Sequence, residues 1–148
     1  MARPNTSEAI LLIRRIIVTA LAALTVAIAS TAPAAAATTY KEVDIYDPAG
    51  RGAFIGQTAT DSTKVRITGE IRGQGYRVTA TACISASISG CGLVANQHAL
   101  GVADGRSANK YLGVDKTFGR TSGQTTYVRA CFLGATGVST CSSWTAGR

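Results

Sequence analysis

The chain has one histidine, one tryptophan, one methionine and three prolines among 148 residues, and these scarcities remove whole classes of chemistry. His98 is the sole imidazole, so an imidazole-rich metal site is excluded and any hydroxyl nucleophile would depend on that one base. Asp104 lies near it in sequence, but no serine sits in a G-x-S-x-G elbow; the run SISGCG at Ser87–Gly92 belongs to a cysteine loop instead. The four cysteines show no C-x-x-C spacing, which removes the zinc knuckle. Acidic residues are also few. Asp44 and Asp47 bracket a turn, and Asp61 and Glu70 stand alone, a poor background for the paired carboxylates of a glycosidase. Gly73-x-Gly75 lacks the helix and the lysine-serine pair of a phosphate cradle. The residues therefore predict a non-enzyme with no metal and no cofactor.

Two further absences concern partners. Basic residues outnumber acidic ones, but they are scattered singly (Arg51, Lys64, Arg66, Arg72, Arg77, Arg106) and never form a run, so a nucleic-acid stripe is not expected. Beyond the first 37 residues no 3.6-residue apolar period appears, which leaves helix a minor component and removes the basic amphipathic helix of a membrane-active peptide.

The beginning of the chain reads as an export signal over residues 1–37. Arg3, Arg14 and Arg15 supply the positive end, Ile16–Ala29 the apolar stretch and Ala35-Ala36-Ala37 the small-residue cleavage site. The apolar stretch falls short of the roughly 20 residues that a spanning helix needs. Arg14-Arg15 followed by Ile16-Ile17 is compatible with a twin-arginine signal, but ordinary positive charge is the favoured reading, because Ile13 stands where a polar residue is expected. The exported chain would start at Thr38 and remain secreted and extracellular, with no membrane attachment. Without Arg3, Arg14, Arg15 and Glu8 it carries 12 basic and 7 acidic side chains, a net charge of +5.

What organises the remainder is an internal echo. Tyr76–Cys91 and Tyr127–Cys141 each run from a β-rich stretch through a cysteine and a small-residue loop to a second cysteine. Upstream, Gly50-Arg51 is matched by Gly105-Arg106, and Gly73-Gln74 by Gly123-Gln124. Four cysteines in a short exported chain predict two disulfides, which can pair in three ways. The repeat selects Cys83 with Cys91 and Cys131 with Cys141, one local bridge per copy. The expected architecture is all-β, sandwich- or barrel-like: residues 38–49 as an extended arm or edge strand, 50–92 as a first module and 93–148 as a second.

Strand signals support this. In Lys64–Arg72, Val65, Ile67, Gly69 and Ile71 share one face and the charged and polar residues the other. Val78, Ala80, Ala82 and Ile84 line up in the first copy as Thr126, Val128, Ala130 and Phe132 do in the second. In the arm, Lys41, Val43 and Ile45 face one way and Tyr40, Glu42, Asp44 and Tyr46 the other. Gly92–Ala103 reads as a connector, and Trp144 as a cover over one end of the core or a partner anchor.

An export signal followed by a tandem β repeat with one short-loop disulfide per copy resembles, in layout, the adaptor subunit of actinobacterial umbrella toxin particles. The resemblance implies a non-enzymatic protein that binds other secreted proteins, linking a large polymorphic antibacterial toxin to a lectin-bearing subunit. The arm would then dock by strand addition through Tyr40, Val43, Ile45 and Tyr46. The alternative is an inhibitor of a secreted hydrolase, protease or glycosidase, offering Ile84–Gly90 or Phe132–Thr140 as its loop. In size and cysteine count the chain is also similar to the β-sandwich chromoprotein carriers.

Overall fold

A computed structural model describes residues 37–148; the expected export signal lies outside the described residues apart from Ala37. Nine strands follow one another: β1 (Thr39–Tyr46), β2 (Gly52–Thr60), β3 (Lys64–Gly73), β4 (Tyr76–Ser85), β5 (Gln97–Asp104), β6 (Lys110–Gly119), β7 (Thr125–Gly134), β8 (Ser139–Cys141) and β9 (Thr145–Ala146). Two 3₁₀ turns, Ile88–Gly92 and Val94–Asn96, join β4 to β5. The strands form two sheets packed as a sandwich. One has the order β1-β2-β3-β6, and the other β5-β4-β7-β8 with β9 also on β7. Every pairing is antiparallel.

The period-two patterns decide the faces. Val65, Ile67 and Ile71 of β3 point inwards together, as do Val78, Ala80, Ala82 and Ile84 of β4 and Val128, Ala130 and Phe132 of β7. The first sheet contributes the bulky residues Phe54, Ile67 and Ile71, while the second contributes small ones at Ala80, Ala82 and Ala130. Large side chains against small ones let the sheets close to native packing density. Each buried Val, Ile or Phe contributes about 1.5–3 kcal/mol of transfer free energy.

The two expected modules are interleaved rather than set side by side. β6, from the second segment, completes the first sheet, and β4, from the first segment, sits inside the second sheet between β5 and β7. One core cluster takes residues from both segments. The echo is also unequal. The stretch from Gly50-Arg51 to Gly73-Gln74 spans β2 and β3, whereas Gly105-Arg106 to Gly123-Gln124 holds β6 alone.

The stretch expected to be a connector, Gly92–Ala103, supplies the second 3₁₀ turn and most of β5. An irregularity in register opposite Ala80 and Thr81 of β4 leaves Leu100 as the extra residue of β5. The bulge allows Leu100 and Ala103 both to reach the core.

Turns are held by side chains as well as by backbone. Asp47 is buried, and its carboxylate accepts the amides of Ala49, Arg51 and Gly52, the last at 2.6 Å. Asp61 accepts the amides of Thr63 and Lys64, both at 2.7 Å. These hydrogen bonds hold the Asp61 carboxyl below the usual carboxylate range.

Candidate protein-docking loop

Both disulfides form as the repeat predicts, Cys83–Cys91 and Cys131–Cys141. They do different work. Cys131 and Cys141 are directly opposite each other on β7 and β8, so that bridge reinforces an existing ladder. Cys83 lies within β4 and Cys91 within the first 3₁₀ turn, and both are fully buried, so this bridge pins a projecting loop to the sheet.

The loop is fastened at several further points. The Gly90 amide donates to the Ser87 carbonyl at 3.1 Å, the Leu93 amide to Gly90 at 3.2 Å and the Asn96 amide to Leu93 at 3.1 Å. Side chains close the base: Asn96 Nδ2 donates to the Gly90 carbonyl at 2.9 Å, and Gln97 Nε2 to the Cys91 carbonyl at 2.7 Å. Gly90 packs against Ser85 so closely that a Cβ there would meet Ser85 Oγ at 2.0 Å. A side chain there would have to displace the Ser85 hydroxyl.

On this rigid base exposed aliphatic side chains stand beside the exposed Ser87 and Ser89, whose hydroxyls bond each other. Ile88, Leu93 and Val94 are 52%, 63% and 81% exposed. Residues 78–103 contain no Asp, Glu, Lys or Arg, so no charge interrupts the surface from within its own segment. Depletion of charge around an apolar centre is the compositional mark of an interface core. The uncharged run was readable beforehand; what hid the site was taking its second half for a connector.

The arm residues separate into two groups. Val43 and Ile45, expected as docking contacts, belong to the core at 1% and 5% exposure, because β1 pairs with β2 as part of the first sheet and turns this alternate face toward the second. Their side chains are therefore unavailable to a partner. Tyr40 and Tyr46 stay exposed on the outer face. The outward edge of β1 is closed at its middle, where Glu42 and Arg148 exchange backbone hydrogen bonds.

The remaining polar candidates have local partners. His98 stacks on Phe118 with ring centroids 4.6 Å apart. Asp104 faces Arg106 at 2.7 Å, which draws the Asp104 carboxyl down to about 2. Its carboxylate is thereby committed to a guanidinium and not to orienting an imidazole. Glu70 pairs with Arg72, and Asp115 with Arg66. Trp144 is half-buried outside the core cluster, with the Arg129 guanidinium 4.5 Å from its ring centre. It covers the second sheet's outer face and not an end of the core.

Between the sheets, a pocket of about 210 Å³ opens among Thr39, Lys41, Thr58, Thr60, Thr126 and Gly147. No helix among the described residues is long and apolar enough to cross a membrane. No protein-family model matches the chain, and no curated protein or solved structure matches it either.

Proposed function

We propose that the protein is a secreted, non-enzymatic adaptor that binds other exported proteins, as the corresponding subunit of umbrella toxin particles joins a toxin to a lectin-bearing subunit. The observation that carries this reading is the stapled, uncharged loop with Ile88, Leu93 and Val94 exposed. Two disulfides favour an oxidising compartment, in keeping with secretion. A rigid loop loses little entropy when it docks, so its apolar area converts efficiently into affinity.

The inhibitor reading draws on the same loop. Its 3₁₀ winding offers a compact apolar knob and not the extended backbone that mimics a substrate in a protease cleft. A knob suits a recess on a partner's surface.

The test is capture with tagged protein from the producing organism's culture medium, run in parallel with a Leu93→Asp, Val94→Asp double variant. Recovery of a large toxin and a lectin-like protein, lost with the double variant, supports the adaptor. Recovery of one hydrolase instead moves the assignment to inhibition. A protein that comes down alone, or partners indifferent to the substitutions, overturns the proposal.

A further inference from the structure

We propose that β6 is a self-association edge, through which two copies of this chain pair antiparallel about a two-fold axis at Val114 and join their four-stranded sheets into one. This does not depend on the adaptor reading.

The Arg120 amide donates to the Thr63 carbonyl at 2.8 Å, in register with the β3–β6 ladder. In an antiparallel ladder the hydrogen-bonded pairs alternate, so Leu112, Val114, Lys116 and Phe118 bond to β3. Tyr111, Gly113, Asp115 and Thr117 therefore turn their N–H and C=O groups away from the sheet. Among the described residues no strand or loop pairs with them. The first half of the chain places a hairpin, β2 and β3, where the second half has β6 only, so the sheet ends at β6.

The other edges are managed. β1 is closed at Glu42 by Arg148, β5 is bulged, and β8 is three residues long. Bulges and short strands are how sheets blunt their edges. β6, ten residues long, is left open. A row of outward amides and carbonyls at strand spacing is matched by another extended backbone.

Charge selects the copy and the register. With the axis at Val114, Tyr111 pairs with Thr117 of the second copy and Gly113 with Asp115. Lys110 then faces Phe118, and Lys116 faces Leu112. No like charges oppose each other. Moving the axis to Gly113 sets Lys110 against Lys116, and moving it to Asp115 sets the two Asp115 carboxylates against each other, both unfavourable. Shifts that pair odd with even residues misalign the hydrogen bonds. Among the registers that pair at least seven residues of each β6, the lysines and Asp115 thus leave one with no like charges opposed, with the isologous symmetry expected of a dimer.

Sedimentation equilibrium on the disulfide-bonded protein across the micromolar range tests this. The expected mass is that of a dimer. Thr117→Pro removes one outward N–H and spares the β3 ladder; it shifts the protein to monomer. Gly113→Asp, where an added Cβ meets nothing within 4 Å, sets carboxylates opposite Asp115 in both symmetry-related pairs and raises the dissociation constant about tenfold. Gly113→Lys keeps the dimer. A monomer at every concentration, or a dimer indifferent to Gly113→Asp, overturns the proposal, and the Gly113 pair retains that power should Thr117→Pro fail to fold.

Discussion

Glu42 and Arg148 exchange backbone hydrogen bonds in both directions, at 3.1 and 2.9 Å. The residues after β9 thereby continue along the outward edge of β1, and Lys41 Nζ adds a bond to the Gly147 carbonyl at 3.0 Å. The contact depends on close approach: a Cβ at Gly147 would lie 2.6 Å from Lys41 Cβ and 3.2 Å from Val43 Cγ2. Gly147→Val should lift this segment away and cost about 1–3 kcal/mol. Thermal unfolding and hydrogen exchange at the Glu42 amide measure it. Unchanged exchange would mean that the edge is not sealed in solution.

Ile45→Asp would place a carboxylate in the core and should cost more than about 3 kcal/mol, enough to unfold much of the population. It reports on folding and not on docking. Tyr40→Ala and Tyr46→Ala, on the exposed face, should change stability by less than about 0.5 kcal/mol. Partner capture with those two variants is the clean test of the arm's outer face.

Replacing Cys83 and Cys91 together by alanine releases the loop from β4. The chain-entropy estimate puts the cost at about 2–3 kcal/mol, read from urea unfolding. Amide exchange at Leu93 and Asn96 should accelerate as the 3₁₀ turns loosen. Replacing Cys131 and Cys141 leaves the β7–β8 ladder in place, so exchange in the Leu93 loop should not respond. Equal acceleration in both variants would argue against a loop held by its own bridge.

The Asp104 carboxyl titrates at about 2 instead of 3.8, chiefly because the Arg106 side chain donates to it. Its folded value lies below its unfolded value. Any contribution of the pair to stability is thus complete above about pH 4 and lost as pH falls through about 2. Because the group is solvent-exposed, the stability effect is small and the titration itself is the observable. Carboxyl NMR should show Asp104 returning to the ordinary range in Arg106→Gln. A value that stays low in that variant would assign the shift to another cause.

Much of the local structure was legible because it rests on chemistry written in short stretches. The alternation at Val65, Ile67 and Ile71 requires a half-buried strand whatever lies beside it. The match of Ala80, Ala82 and Ile84 to Val128, Ala130 and Phe132 located both inner strands of the second sheet. The candidate loop was less legible. Leu93 and Val94 stand in a short apolar pair flanked by small and polar residues, and nothing local tells an exposed aliphatic from a buried one.

The sequence by itself determined the strands β3, β4 and β7, which face of each is buried and which cysteines meet, since side-chain period, loop length and repeat spacing are properties of neighbouring residues. Only the tertiary structure decided that β6 joins β3 while β4 pairs with β7, that Arg148 closes the edge beside Glu42, and that the edge of β6 stays open. A period of two says that one face must be buried but not against which strand, and an edge exists only once every strand has found its place.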